Sequence, residues 1–294
     1  MASLKEFRTR IASVQSTQKI TAAMKMVSGA KLRRAEASAI KARPYAEHLR
    51  RILGYLLSRV SYLHSQPALL IGCSKVNSVL LMVFSSDRGL CGSFNAGMVR
   101  ETHKIIKAYR KAGTCVQIIC IGHKAADSLK GLADMNVLDV LTDGMLPQNA
   151  FHTAQTLMMR IISLLEAQEV GEVRLLYNHF HSAMRYTFTN LRLVPVEDAF
   201  ASSEVLPAIP VMEPSEEEVL KHLLEHNIVL QIYQAMLESM ASEQGARMTA
   251  MDSATRNAED MLSRLKLHYN RTRQALITKE LTEIVSGAEA LGNG

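Results

Sequence analysis

Leu4, Phe7, Ile11 and Val14 recur at 3-4-3 spacing, and Leu49, Leu53, Leu56, Val60 and Leu63 resume the pattern. Between them Ile20, Met24 and Val27 keep helical spacing with a shifted phase, as a stutter does. The pattern predicts a helix from residue 3 to about 63, weakest at Gly29 and at Pro44, where a kink or local irregularity is expected. The other end of the chain behaves the same way. Val219, Leu223, Leu230, Tyr233, Leu237 and Met240 form one stretch of apolar seam, and Ala258, Leu262, Leu265 and Tyr269 form another. Ser215 and Glu218 have the offset of a capping box, and no proline follows to about residue 291. A periodic helix this long belongs to a coiled coil rather than to a packed globule.

The middle, from about 74 to 195, changes period. VNSVLLMVFSSD (76–87) and TCVQIICIG (114–122) are continuous apolar runs, the pattern of strands buried on both faces. EVRLLYNHF (172–180) is a third strand, and MRYTFTNLRLV (184–194) alternates as an edge strand does. Helices are expected at 95–113 and 152–168. Strands alternating with helices predict an α/β layer with a mostly parallel sheet. A linker at 195–214 carries Pro195, Pro207, Pro210 and Pro214.

The resulting organisation is an N-terminal coiled-coil helix (1–63), an inserted α/β domain (74–195) and a C-terminal coiled-coil helix (215–291). At about 1.5 Å per residue the first helix is about 90 Å long and the last about 115 Å. An antiparallel pair is the simplest arrangement. Setting Ser215 beside Leu63 brings Met1 level with residue 277. The stretch beyond, with Ile277, Leu281, Ile284, Ala288 and Leu291 at 4-3-4-3 spacing, then overhangs its partner and needs cover from another molecule.

Composition supports this picture. Hydrophobic residues make up 48% of the chain, but aromatics only 5%, with no Trp and 16 Met. That balance suits long helices better than a large compact core. No run of about 20 apolar residues offers a membrane span. The first residues lack a secretory apolar region, and their Arg- and Ser-containing amphipathic pattern, which a transit peptide could share, simply continues into the first helix. Cys73, Cys91, Cys115 and Cys120 show no C-x-x-C spacing and suggest reduced thiols. Residues 1–60 hold 13 Lys/Arg against 3 Asp/Glu, whereas residues 210–294 hold 8 against 13. The two terminal segments therefore attract each other.

Few motifs suggest chemistry. SSDRGLCGSFNAG (85–97) follows a strand and precedes a helix, where a glycine-rich turn could cradle phosphate. It matches neither dinucleotide nor P-loop patterns, and a tight turn tied down by Asp87 and Arg88 explains it. His179 and His181, or His222 and His226, lack a third metal ligand with suitable spacing. The basic N-terminal helix has few aromatic platforms for nucleic acid. No catalytic, cofactor or metal residues are expected. ASEQGARMTAMDSAT (241–255) and QKITAAMKMVSGAKLRR (18–34) instead replace large apolar residues with small ones and Met, so helices can approach closely.

These stretches resemble the gamma subunit of the F-type rotary ATP synthase. Ile277, Thr278, Glu280, Glu283, Gly287 and Ala288 meet its C-terminal I-T-x-E-x-x-[DE]-x-x-x-G-A signature. IASVQSTQKITAAMKMV, SSDRGLCG and SEQGARMTAM also look like that family, in order and along the whole chain. The resemblance implies an antiparallel coiled coil of the terminal helices with a Rossmann-like α/β domain inserted between them. It implies a non-catalytic central-stalk rotor in a 3:3:1 complex with alpha and beta subunits, with the epsilon subunit and the membrane c-ring as further partners. It maps Arg247, Gln274 and Thr278 onto contacts with the catch loops of the catalytic subunits, supported by Glu280. It maps Met24 and Lys25 onto a patch facing the acidic lever of the beta subunit, with Lys31, Arg33 and Arg34 beside it. The tip residues become a bearing. The implied location is the cytoplasmic face of a bacterial inner membrane, ahead of the mitochondrial matrix face. Gly245, inside the long C-terminal helix, stands out as costing about 1 kcal/mol relative to Ala. Two other readings remain: a nucleotide-binding α/β enzyme with long arms, and a coiled-coil scaffold without a rotary task.

Overall fold

The computed structural model describes residues 4–57, 68–72, 76–130, 136–145, 148–196, 213 and 215–292. Helix α1 spans Leu4–Leu57 and runs through Pro44. A single turn, α2 (Ala68–Ile71), precedes an α/β segment. That segment contains β1 (Ser78–Phe84), α3 (Phe94–Lys111), β2 (Cys115–Ile121), α4 (His123–Lys130), β3 (Asn136–Leu141), α5 (Ala150–Glu166), β4 (Glu172–Ser182) and β5 (Arg185–Val194). Helix α6 spans Glu216–Gly292. Expectations for Val60, Leu63, Cys73 and the prolines at 207, 210 and 214 lie outside the described residues.

Tertiary contacts divide the chain into one unit of residues 28–247 and another of 1–27 with 248–294. In the larger unit, five strands form one sheet in the order β3-β2-β1-β4-β5. The β1 strand lies between β2 and β4, parallel to both, and β3 is parallel to β2. The β5 strand is antiparallel to β4 and forms the edge its alternating pattern predicted. Every residue of β1 is buried, because its two faces serve different cores. Leu80, Met82 and Phe84 pack with residues of α5, α1 and α6. Val79, Leu81 and Val83 pack with Met98 and Ile106 of α3 and with Ala125, Ala126 and Leu129 of α4. A continuous apolar run is what such a doubly covered strand requires.

The β3 strand, α2 and α4 carry no comparable signal. In NVLDVL of β3 no residue is fully buried, so the apolar run that marks the central strands is missing. At the start of α6, the Glu218 N–H donates to the Ser215 hydroxyl at 3.2 Å, the N-cap bond its sequence offset predicted.

In the smaller unit the terminal helices are antiparallel, and four side-chain pairs fix their register. Arg8 Nε donates to the Tyr269 hydroxyl at 3.0 Å, and Gln18 Nε2 to Glu259 Oε1 at 3.0 Å. The Thr21 and Thr255 hydroxyls are 2.8 Å apart, and Lys25 Nζ lies 2.5 Å from Asp252 Oδ1. The residue numbers in each pair add to 276 or 277. Leu4 thus falls level with residue 272 or 273, within two residues of the register the sequence suggested.

Candidate functional site

The first candidate surface is the free end of α6. The observed register places Leu4 level with about residue 273, while α6 continues to Gly292. Ile277, Leu281 and Ile284 are spaced 4-3, within about 60° around a helix at 100° per residue. They remain 45%, 57% and 67% exposed, and Leu276 and Val285 flank them as further exposed apolar residues. Single exposed apolar residues are ordinary, but a stripe of five along three turns marks an interaction surface. The side chains of Ala288 and Leu291 lie outside the described residues.

Gln274, Thr278 and Glu280 are all exposed on this end. Thr278 donates its hydroxyl to the Gln274 carbonyl at 3.0 Å, one helical turn back. Gln274 and Thr278 therefore share a face. Glu280, two residues beyond Thr278, lies about 200° around the helix from it. The helix does not bring Glu280 onto the face that the other two share.

The Met24–Lys25 stretch lies on α1 in the smaller unit. Lys25, whose side chain remains 46% exposed, pairs with Asp252, which also holds Arg256 Nη2 at 2.7 Å. The Lys25 hydrogen bond holds the Asp252 carboxyl below its ordinary value of 3.8, with Arg256 adding to the effect. Met24 is half-buried, and the exposed apolar positions are Ile20, Met26 and Val27.

Arg247, on α6 in the larger unit, packs against the turn between β1 and α3. Its guanidinium side chain is only 12% exposed. One end makes a short ion pair with Glu243, one turn back on α6. The other donates to the carbonyls of Arg88 and Gly89, at 3.1 and 3.2 Å. Burial pushes the Glu243 carboxyl up, and the adjacent Arg247 opposes that shift. The turn itself is heavily tied. Asp87 accepts from the His123 and Asp143 backbone N–H groups at 3.1 and 3.2 Å, joining the ends of β1, β2 and β3. Ser86 and Asn95 exchange hydrogen bonds across it. At Gly122, with φ +99°, a Cβ would lie 2.0 Å from the Ser85 carbonyl oxygen, so only glycine fits. SSDRGLCG is therefore a braced turn, with Asp87 acting through its carboxylate and Arg88 through its carbonyl.

Gly245 has a similar cause. A Cβ there would meet the Ala183 carbonyl oxygen at 2.9 Å and its Cα at 3.1 Å. Ala183 is in the turn joining β4 to β5, and this close approach accounts for a glycine inside a long helix. Nearby, His179 Nδ1 and Glu238 Oε2 are 2.5 Å apart, and Ser242 donates to the Asn178 carbonyl at 3.1 Å. Among the described residues no group of three or more His, Cys, Asp or Glu is placed to hold a metal ion.

The family model described as ATP synthase matches residues 3–291. The ATP synthase gamma chain of Rhodospirillum rubrum is 43% identical, covering 99% of this chain and 100% of the relative. That of Granulibacter bethesdensis is 46% identical with the same coverage. The chain belongs to the ATP synthase gamma-chain family. A gamma chain is a non-catalytic subunit, which decides against the reading as a nucleotide-binding enzyme. Among solved structures, a chain of the Tetrahymena thermophila mitochondrial ATP synthase central stalk and c-ring matches with a TM-score of 0.61 and 27% identity, over 80% of this chain and 99% of that one. A chain of the Euglena gracilis mitochondrial ATP synthase matches in fold, with a TM-score of 0.70, 19% identity, and coverage of 98% and 94%.

Two partners of the gamma-chain residues went unnoticed in the sequence. Glu243 stands four residues before Arg247, an i,i+4 offset that was readable as an ion pair. Asp252 could be matched to Lys25 only through the register of the helix pair.

Proposed function

We propose that this gamma chain is the central-stalk rotor of its ATP synthase, coupling proton-driven rotation of a membrane c-ring to ATP synthesis, or the reverse, in a hexamer of alpha and beta subunits. The observation that carries this reading is the apolar stripe Ile277–Leu281–Ile284 on a helix end that extends past its partner. A hexamer collar of apolar side chains supplies the cover such a stripe needs, while leaving it free to turn. The expected stoichiometry is three alpha, three beta and one gamma, with epsilon and the c-ring bound to the α/β domain. The working division of the chain is 1–63, 74–195 and 215–291.

The mechanism requires no chemistry from the chain. Each rotor angle favours a different beta conformation, so rotation shifts binding states at distant sites through differential contact. Two helices wound together resist twisting better than one, as transmission of torque demands. Gln274 and Thr278 are the exposed polar groups suited to a catch-loop contact, and Glu280 serves a different rotor face. Arg247 acts at its own level by presenting a braced turn as well as its guanidinium edge. Met24 and Lys25, with the exposed Met26 and Val27, form the patch opposed to the beta lever. Ala288 and Leu291 continue the bearing.

No described helix is long and apolar enough to cross a membrane. The cytoplasmic face of a bacterial inner membrane is the finer location. Its support is the higher identity to the Rhodospirillum and Granulibacter chains than to the Tetrahymena mitochondrial one.

Affinity purification of the tagged chain from its own cells tests the proposal. Recovery of alpha and beta subunits at three copies each per gamma is the expected result. Recovery of the chain without them, from cells with an active ATP synthase, overturns it.

A further inference from the structure

On the face of the α/β domain formed by α3 and α4, cations are concentrated out of proportion. Residues 61–209 hold 13 Lys/Arg and 12 Asp/Glu. Seven of those cations but only two of the acids lie on these two helices. Between the helices runs a groove of about 630 Å³. Arg100, His103, Lys104 and Lys107 line it from α3, at i, i+3, i+4 and i+7, and Lys124 lines it from α4. The local acids do not neutralise this set. Glu101 is shared by Arg100 at 3.4 Å and Lys104 at 2.9 Å, and Asp127 is shared by Lys124 at 3.7 Å and His123 at 3.2 Å. Lys107 has no ion-pair partner among the described residues.

We propose that this groove binds an oligophosphate chain, recognised by its charge. Its volume falls within the range of about 300–1,000 Å³ typical of small-ligand sites. Five basic side chains converge from two walls, so a compact anion of several charges meets most of them at once. The apolar floor consists of Ala96 and Val99. It offers no aromatic or large aliphatic anchor of the kind that dominates specific protein interfaces, which disfavours a protein segment as occupant. The neutral polar groups are already engaged: Asn95 with Ser86, and Ser128 with the Lys124 carbonyl. With Arg100 and His103 committed to the phosphates, no free amide or hydroxyl of the lining is left to read a nucleobase edge. A free phosphate chain and the phosphate tail of a nucleotide share this chemistry, and the groove treats both alike.

Calorimetric titration of the full-length chain with sodium tripolyphosphate, in magnesium-free buffer at low salt, tests this. The expected result is saturable binding that weakens as salt is raised, since lysine–phosphate attraction is screened. ATP should bind within about threefold of tripolyphosphate, because its base gains no contacts. Lys107→Ala combined with Lys124→Ala should weaken both ligands by about tenfold, with an unchanged circular dichroism spectrum, as both side chains are at the surface. Absence of saturable binding overturns the proposal, as does unchanged affinity in the double variant. ATP binding more than about tenfold tighter than tripolyphosphate would mean that the base is read and would also overturn it. Tighter binding of a deca-glutamate peptide than of tripolyphosphate would assign the face to an acidic protein instead.

Discussion

Arg8 Nε reaches the Tyr269 hydroxyl at 3.0 Å, and its guanidinium carbon stands 5.7 Å from the centre of the same ring. These residues are separated by 261 positions in sequence. Their contact is the last side-chain pair described between α1 and α6, one turn from the described start of α1 at Leu4, so it lies just inside the point where α6 continues with an uncovered apolar face. Stiffness is expected on one side of that point and dependence on a collar on the other.

The uncovered face should tolerate charge in the isolated chain and resent it in the complex. Ile284→Glu places a charge where a partner must bury an apolar group. Losing one such burial costs about 1.5–3 kcal/mol, or roughly 10- to 150-fold in affinity for the alpha–beta hexamer. Sedimentation of the reconstituted complex measures that loss. The unfolding midpoint of the chain alone should not move, because the side chain is 67% exposed. Unchanged assembly with Ile284→Glu and with Leu281→Glu would remove the bearing assignment.

Arg247 should prove structural as well as functional. Arg247→Ala leaves Glu243 buried without its cation and frees the Arg88 and Gly89 carbonyls, so it should destabilise the larger unit by about 3 kcal/mol. Adding Glu243→Gln should restore part of that, as read by urea unfolding. Arg247→Glu in the complex should slow coupled ATP synthesis more than it weakens assembly. An equal loss of both would leave the residue with its bracing role alone.

Gly245→Ala separates helix propensity from packing. Propensity alone predicts a gain of about 1 kcal/mol. The Ala183 carbonyl oxygen, 2.9 Å from the new Cβ, predicts instead a net loss of about 1–3 kcal/mol through overpacking. The sign of the change in the urea midpoint decides between them, and destabilisation is expected.

The Lys25–Asp252 pair makes a pH-dependent contribution to the smaller unit. Because the folded state holds the Asp252 carboxyl below its ordinary value of 3.8, the contribution is complete above that value and is lost as pH falls through the lower folded value. Lys25→Met should flatten the acid limb of helix-pair stability, measured by circular dichroism against pH. The pair is largely exposed, so the effect should be modest and should shrink in high salt. An acid limb of identical slope in the variant would show that the pair does not contribute.

Much was legible in the sequence because much of the fold follows local periodicity. The long terminal helices, the central strands β1, β2 and β4, and the alternating β5 each imprint one spacing on their residues. The overhang at Ile277 followed from two helix lengths and one antiparallel turn. The β3 strand and α4 escaped because an edge strand without fully buried residues and an eight-residue helix leave little periodic trace. The apolar stripe was visible as a pattern, and the structure adds that Ile284 is left uncovered by its own chain.

What the sequence alone determined, then, is what spacing along a long helix or a central strand sets: those elements, their apolar faces and the far end of α6. What only the tertiary structure decided is what depends on meetings between distant segments. Lys25 is answered by Asp252, Arg247 holds the Arg88–Gly89 carbonyls, and Gly245 makes room for Ala183. The physical reason is that a side chain's exposure and charge partners are set by the register and close approach of elements far apart in sequence. Residue types at those positions carry no record of which carbonyl or carboxylate will arrive.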